Sequence, residues 1–432
     1  MVSIWQKYNY LSYFCPTERW FISMFHNQYY SAMPGLKEKI LSLAKEIYPK
    51  LVEYRRFFHA NPELAMQEYK TVSFIAARLL EWNIPYKDKV AKTGIVALIE
   101  GRNPTSGLIA LRADMDALPI TEESGASYQS LNASVMHACG HDAHMASLLG
   151  TAFILNQLRN EFEGSIRLIF QPSEESYPGG AKMMIEEGVL ENPRPRCIFG
   201  QHVYPQLDVG VVGFRPGPAM ASTDEIYISV IGKGGHGATP DQVIDPVLIG
   251  AHVITALQQI VSRNSSPQIP CVLSFGRFIA DGKPNIIPNK AHLAGTIRTY
   301  DERWREKAHE LIRNMAVSVC QGMGGDCEVR IEKGYPVLIN DPALTQRANY
   351  AAAEFLGSDR VIEIDPRMTA EDFAYYLQVI PGCFYRLGIR NIQKGIDSNL
   401  HTSTFDVDEE ALLTGSALMA WLAIKELLYG NK

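Results

Sequence analysis

Apolar residues recur at helical or strand spacing along almost the whole chain from residue 36 onwards. A period near 3.6 predicts helices, whereas short apolar runs and strict alternation predict strands. Pro49 lies inside the first helical segment, so that segment either kinks there or divides into two helices. Helices are predicted over residues 36–58, 68–82, 143–158, 181–187, 245–262, 301–322 and 409–428. Strands are predicted over residues 94–100, 108–111, 165–171, 197–203, 224–231, 269–279, 290–300, 326–332 and 383–387.

The order of these elements predicts an α/β protein with a second domain inserted into the first. Residues 36–215 alternate between helices and buried strands, and residues 333–432 return to that pattern. Residues 216–332 have the order βαββαβ, which predicts a smaller α+β domain with one sheet and two helices on one face. Residues 1–35 are aromatic-rich and aperiodic, and we expect them to be an extension that contributes little to function.

Composition excludes several classes of function. With 46% hydrophobic and 20% charged residues among 432, the chain is typical of a globular protein. The net charge of −6, without any Lys/Arg-rich run, argues against a nucleic-acid partner. No stretch approaches 18 uninterrupted apolar residues, so we expect no membrane span. The odd number of cysteines, seven, is typical of a reducing compartment, and we expect a cytoplasmic protein.

Residues 136–144 (MHACGHDAH) concentrate possible metal ligands in a chain with only 11 His and 7 Cys. Imidazole, thiolate and carboxylate groups are the ligands of zinc and its transition-metal neighbours. Cys139 and His141 lie two residues apart, so their donor atoms can converge on one ion from the loop that enters the next helix. The alternative is a loop with structural histidines and a buried thiol, but the density of ligands favours a metal site.

Further polar residues stand where buried strands end. Asp114 and Asp116 follow one strand, Glu174 and Glu175 follow the next, and His202 ends a third. Open α/β sheets bind their ligands at this edge. Taken singly, the aspartates could be helix caps and the glutamates solvated surface residues. The repeated placement predicts a shared site, in which one glutamate binds a metal and the other transfers protons.

Five motifs together resemble those of the metal-dependent amidohydrolases of the aminoacylase/glutamate-carboxypeptidase superfamily. The nearest branch contains hippurate hydrolases, auxin–amino-acid conjugate hydrolases and N-acetyldiaminopimelate deacetylases. The resemblance spans residues 36–430 and implies a zinc-peptidase-like catalytic domain with a mixed sheet and an inserted lid/dimerisation domain. The motifs are RADMDALP from residue 112, HACGHD from 137, QPSEE from 171, GKGGHGA from 232 and LHT from 400.

The resemblance implies two divalent metal ions per subunit, of Zn, Mn, Co or Ni, with Cys139 in the place of the bridging carboxylate. Glu174 is similar in position to the general base of the family. Asp116 is similar to a carboxylate that supports the ligands. The remaining metal ligands implied are His141, Glu175, His202 and His401.

The resemblance also implies roles for three residues of the inserted domain. His236 is similar to the lid histidine that completes the site of the partner subunit in related dimers and stabilises the tetrahedral intermediate. Asn285 and Arg298 are similar to lid residues that contact the substrate. A guanidinium such as that of Arg298 can bind an α-carboxylate through two hydrogen bonds.

We therefore expect a homodimeric enzyme that hydrolyses the amide bond of N-acyl-L-amino acids with a metal-activated water. A metallo-carboxypeptidase acting on short peptides is the alternative, because both cleave an amide next to a free carboxylate. A cysteine hydrolase would use Cys139 as nucleophile and leave Glu174, Glu175 and His401 without a role. An inactive binding protein would not need every ligand position to be filled. Chelation separates the metal-dependent hypotheses from the cysteine hydrolase.

Overall fold

The computed structural model describes residues 35–430, so the predicted extension of residues 1–35 lies almost entirely outside the described part. The strands are β1 (Tyr86–Val90), β2 (Gly94–Glu100), β3 (Leu108–Asp114), β4 (Ser165–Gln171), β5 (Ile198–Asp208), β6 (Val212–Phe214), β7 (Gly217–Met220), β8 (Asp224–Ile231), β9 (Gly235–His236), β10 (Cys271–Ile279), β11 (Ile286–Ile287), β12 (Lys290–Thr299), β13 (Asp326–Lys333), β14 (Leu338–Asn340), β15 (Val361–Glu363) and β16 (Gly382–Arg390). The α-helices are α1 (Leu36–Ala60), α2 (Tyr69–Glu81), α3 (His141–Gln157), α4 (Gly180–Glu186), α5 (Pro246–Gln259), α6 (Glu302–Gly322), α7 (Pro342–Leu356), α8 (Ala374–Leu377) and α9 (Ala411–Gly430).

The larger sheet has eight strands in the order β1-β2-β4-β3-β5-β16-β6-β15 and is mixed, as expected. Its central strands β4, β3, β5 and β16 run parallel to their neighbours in that series. Every residue of β3 and β4 is buried, as is typical of strands covered on both faces of a sheet. Because parallel strands end at the same edge of a sheet, the segments that follow β3 and β4 are brought together there.

Helices α1, α3 and α9 pack against one another and share one hydrophobic core. Within the described residues, α9 is the one helix long and apolar enough to cross a membrane by length and composition alone. Buried residues make up 72% of its apolar window, as in a core helix. Helix α3 is buried on almost all sides, and it places the cluster of residues 136–144 at its amino-terminal end.

The second sheet has four antiparallel strands in the order β10-β12-β8-β13. Together with α5 and α6, these strands form an α+β unit of residues 224–333 with the predicted order βαββαβ. Ile226, Ile228 and Val230 of β8 are buried in the core shared with α5 and α6. This core is separate from that of the larger sheet, and the domain division with boundaries at residues 216 and 332 stays a prediction.

The structure differs from the sequence prediction at two helices, α1 and α7. Helix α1 continues through Pro49, so the division into two helices is wrong. Burial of Ile47, Leu51 and Tyr54 on both sides of the proline stabilises the helix against a proline cost of about 3 kcal/mol. Helix α7 was not predicted, because its alanine-rich sequence gives a weak apolar stripe. Its beginning is marked by the Asp341 carboxylate, which accepts a hydrogen bond from the Leu344 amide over 2.7 Å.

Candidate metal centre

Asp116 fixes the glutamate pair that follows β4. One carboxylate oxygen accepts a hydrogen bond from the Glu174 amide and the other from the Glu175 amide, both over 2.9 Å. With both oxygens occupied, Asp116 acts by positioning the pair. Ser173 has a positive φ of 55°, which turns the chain sharply between the strand and the glutamates.

Two buried histidines present one ring nitrogen each to the same region. His141 Nδ1 donates to the main-chain carbonyl of Asp116 over 2.8 Å, and His202 Nδ1 donates to that of Val203 over 2.7 Å. Their Nε2 atoms are therefore unprotonated acceptors in the neutral rings. Within the described residues, His141 Nε2 is buried and lacks a hydrogen-bond partner. Metal-ligating histidines typically have this arrangement, with the second nitrogen bound to a carbonyl or carboxylate.

Cys139 is common to two groups of possible ligands. Its sulfur lies 3.4 Å from His202 Nε2, and the donor atoms of Cys139, His141 and His202 all lie within 4.8 Å of one another. The donor atoms of Cys139, Glu175 and His401 meet the same limit. Glu175 Oε1 is buried without a hydrogen-bond partner in the described chain and lies 3.3 Å from His401 Nε2.

These observations test whether the residues fit two divalent ions, and they do. A buried imidazole nitrogen and a buried carboxylate oxygen that lack partners are rare in folded proteins. Burial, followed by the charges of Glu175 and Glu174, raises the pKa of the Cys139 thiol well above its usual range. A divalent cation reverses this effect, because a coordinating thiol is deprotonated. The residues that would hold the ions are Cys139, His141, His202, Glu175 and His401, and this set stays a prediction.

His144 and Asp114 belong to the polar support of the site. His144 Nδ1 donates to Asp114 over 2.6 Å, while its Nε2 accepts the Val203 amide over 2.9 Å. The second oxygen of Asp114 accepts from Arg112 over 2.6 Å. The ring nitrogens of His144 and the carboxylate oxygens of Asp114 thus all have hydrogen-bond partners. Through these bonds, His144 holds β5 beside β3.

Arg112 joins three buried carboxylates from distant parts of the chain. Besides Asp114, its guanidinium binds Glu371 over 3.0 Å and Asp372 over 2.8 Å. The motif around residues 368–373 is visible in the sequence, but no role for Glu371 or Asp372 was predicted. The available signal was a pair of adjacent acids inside a largely apolar segment.

Glu174 is a buried carboxyl group beside the ligands. Burial raises its pKa well above the usual range, and the negative charges of Glu371 and Glu175 add to this effect. The Tyr335 hydroxyl donates to the main-chain carbonyl of Glu174 over 2.6 Å and so fixes this backbone. A carboxyl group with a raised pKa is suited to accept a proton and to return it.

All proposed ligands except His141 line a cavity of about 440 Å³ that reaches the α+β unit. Arg298 of β12 lines this cavity, as its predicted substrate role requires. The residues around the cavity include Cys139, Glu174, Glu175, His202, Arg298, Tyr335, Glu371, Arg386, Leu400 and His401.

His236 and Asn285 are not among the residues that line this cavity. They lie together at the β9–β11 ribbon, where the Gly237 amide donates to the Asn285 carbonyl over 2.9 Å, and both side chains are exposed. His236 Nδ1 accepts the Ala238 amide over 3.0 Å, which leaves Nε2–H free to donate. One subunit does not bring these residues to its own ligands, and their action on a partner subunit stays a prediction.

Known proteins share both the sequence and the fold. The sequence profile of peptidase family M20/M25/M40 matches residues 110–425. The N-acyl-L-amino acid amidohydrolase of Geobacillus stearothermophilus is 42% identical over 70% of this chain and 81% of its own. Thermostable carboxypeptidase 2 of Saccharolobus solfataricus is 41% identical over 92% of this chain and 100% of its own.

A solved structure shares the fold. The YXEP protein of Bacillus subtilis, described as a dinuclear metal binding peptidase from the M20 family, superposes with a TM-score of 0.77. It is 36% identical, and the match covers 89% of this chain and 99% of the other. The profile, the relatives and the fold agree with one another, and the chain therefore belongs to peptidase family M20/M25/M40, as a metal-dependent hydrolase.

Proposed function

We propose that the protein hydrolyses the amide bond of N-acyl-L-amino acids. The observation that carries the proposal is the position of Glu174, a buried carboxyl group that lies beside the metal ligands and faces the same cavity as Arg298. A base next to a metal centre suits amide hydrolysis, and a cation in the same cavity suits a substrate with a free carboxylate. The 42% identical N-acyl-L-amino acid amidohydrolase supports this substrate class.

Each group then has a distinct task. Cys139 and its neighbouring ligands would hold two divalent ions, which would supply Lewis acidity and lower the pKa of water. Glu174 accepts the proton of the attacking water and returns it to the nitrogen of the leaving amine. Asp116 keeps Glu174 and Glu175 in separate directions through their amides. The pair can therefore serve different functions although its members are adjacent in sequence.

His236 is proposed to stabilise the developing oxyanion in the site of a second subunit. Its Nε2–H is free to donate, because Nδ1 already accepts the Ala238 amide. Its exposed position outside the cavity agrees with a role in another subunit. Asn285 lies on the same ribbon and would reach the substrate together with it. A homodimer in the cytoplasm is part of this proposal.

Arg298 is proposed to bind the α-carboxylate. Its side chain is half-buried and lines the cavity, and burial lowers the pKa of its guanidinium. Within the described residues, it forms no ion pair with a carboxylate of the protein, so its charge is available to a ligand. Charge-assisted hydrogen bonds between Arg and a carboxylate are about twice as strong as neutral ones.

A carboxypeptidase acting on short peptides is the second candidate, favoured by the 41% identical carboxypeptidase. The two functions are separated by a panel of acetyl, benzoyl and indoleacetyl amino acids together with a dipeptide. Each substrate is assayed with EDTA and after addition of Zn²⁺, Mn²⁺ or Co²⁺. We expect metal-restorable hydrolysis of acyl amino acids; activity on the dipeptide alone would favour the carboxypeptidase, and chelator-insensitive activity would contradict both.

A further inference from the structure

The cavity beside the metal ligands contains an arginine without a carboxylate partner. Arg386 lies on β16 in register with His202 on the neighbouring parallel strand, and only 4% of its surface is exposed. Within residues 35–430, its one hydrogen-bond acceptor is the Met220 thioether, 2.8 Å from Nη2. A thioether is a weak acceptor, and a buried cation normally has an anionic or strongly polar partner.

The other four buried arginines of the described chain all bind oxygen. Two of them bind buried carboxylates, one binds main-chain carbonyls, and one binds an aspartate in the α+β unit. These pairs are Arg55 with Asp142, Arg112 with Asp114, Arg167 with the Val189 carbonyl and Arg305 with Asp224. Arg386 therefore differs from every other arginine in a comparable environment, and the difference occurs at the cavity.

A second guanidinium, that of Arg367, lines the same cavity. It lies 5.0 Å from the centre of the Tyr204 ring, and Arg386 lies 5.9 Å from the same ring. Burial and the charge of Arg367 lower the pKa of Arg386 to about 10, so Arg386 is still cationic at neutral pH. Glu371, whose negative charge acts on Arg386, is already bound by Arg112 over 3.0 Å.

We propose that Arg386 and Arg367 form a subsite for a second carboxylate of the substrate, distinct from the α-carboxylate assigned to Arg298. The preferred substrates are then acyl amino acids with two carboxylates. This inference rests on the proposed function, since it assumes that the bond to be cleaved is placed by the metal ligands and Arg298. The second carboxylate belongs either to the side chain of the amino acid or to the acyl group, and both place an anion in the same cavity.

The test compares substrate pairs that differ in this one group, on the metal-loaded full-length enzyme. In the first pair, N-acetyl-L-glutamate is compared with N-acetyl-L-glutamine, and the second carboxylate is on the amino acid. In the second pair, N-succinyl-L-alanine is compared with N-butanoyl-L-alanine, and the second carboxylate is on the acyl group. We expect kcat/KM to favour the dicarboxylate in one pair, and Arg386→Gln to reduce that preference by about 10- to 100-fold, mainly through KM. Arg386→Lys should retain part of the preference.

Control variants distinguish loss of the subsite from other causes of a changed substrate preference. Arg390 lies on the same strand but binds Asp208 over 2.7 Å outside the cavity, so Arg390→Gln should leave the preference unchanged. If Arg386→Gln does not fold, as judged by circular dichroism, Arg367→Gln at its half-buried position provides the same comparison. An equal loss on all four substrates would show that Arg386 binds the common α-carboxylate and would overturn the proposal, as would a wild-type enzyme without any preference.

Calorimetric binding separates failure of the subsite from failure of the proposed function. Glutarate, with two carboxylates, is compared with butanoate, which has one, on wild type and on Arg386→Gln. Tighter binding of glutarate that is lost in the variant supports the subsite even if no acyl amino acid is hydrolysed. Hydrolysis of acyl amino acids together with equal glutarate affinity in both proteins would reject the subsite and leave the proposed function intact.

Discussion

The imidazole of His141 donates its Nδ1 hydrogen to the main-chain carbonyl of Asp116, over 2.8 Å. The carboxylate of the same aspartate accepts the amides of Glu174 and Glu175. Asp116, in the segment that follows β3, thus orients a proposed ligand on α3 and the two glutamates after β4. This arrangement connects β3, α3 and β4. The positions of the proposed ligands therefore depend on a residue that is not itself a proposed ligand.

Asp116→Asn should weaken metal binding without removing a ligand. The asparagine side chain can accept one of the two amides, but its NH₂ group faces the other and repels it. We expect metal affinity to fall by about 10- to 100-fold, the range found when groups that orient metal ligands are replaced. Competition with a chromophoric chelator measures the affinity. Asp281→Asn, at an exposed loop position, is the matched control, and unchanged affinity in Asp116→Asn would contradict the positioning role.

The convergence of the proposed ligands could be predicted because these residues leave local signals in the sequence. Cys139 and His141 lie in one short cluster, and Glu174, Glu175 and His202 lie at strand ends. The α+β unit was likewise visible in the order and period of its elements. These features depend on neighbouring residues and on the common edge of parallel strands, both of which a sequence records.

The supporting network could not be predicted in the same way. Arg112 and Glu371 are separated by 259 positions, and their contact depends on how β3 packs beside the segment before α8. That Arg386 lacks a carboxylate partner within the described residues could not be predicted either, because a sequence does not show which arginines form ion pairs. For His236 and Asn285 the sequence suggested a place in a site, whereas one subunit shows only that both are exposed.

Glu174→Gln should abolish most turnover while the metal is retained. The glutamine has the same shape and leaves Cys139 and its ligand neighbours unchanged, but it cannot accept the proton of water. We expect kcat to fall by about 10²- to 10⁴-fold, the usual contribution of a general acid–base group. Metal content is measured by mass spectrometry on the same preparation. The exposed Glu187→Gln is the control, and turnover near the wild-type rate in Glu174→Gln would reject the base assignment.

Metal removal should abolish activity and leave Cys139 poorly reactive. Its thiol is buried, and the pKa is raised by that burial and by the charges of Glu175 and Glu174. Since the thiolate is the reactive form, the metal-free protein should react slowly with iodoacetamide at pH 7.5 at this residue. Peptide mapping by mass spectrometry follows its alkylation against that of the less buried Cys271. Rapid alkylation of Cys139 together with chelator-insensitive activity would support the cysteine hydrolase instead.

The buried His59 should make stability depend on pH. Its ring nitrogens lie 2.7 Å from Asp142 and 3.0 Å from Glu122, so both donate when the ring is charged. Burial and the charge of Arg55 lower the pKa of His59, but the hydrogen bonds to Asp142 and Glu122 outweigh them and the net shift is upward.

A folded-state pKa above the unfolded value means that this stabilisation is complete below about pH 6.5 and is lost as the pH rises through the folded value. His59→Gln should therefore cost about 3–5 kcal/mol at pH 6, because it breaks a buried ionic contact, and less at pH 9. Urea unfolding of wild type and variant at several pH values measures this difference. The exposed His252→Gln should show no such trend. A cost of His59→Gln that does not change with pH would mean that the pKa of His59 is the same in the folded and unfolded protein, and it would contradict this prediction.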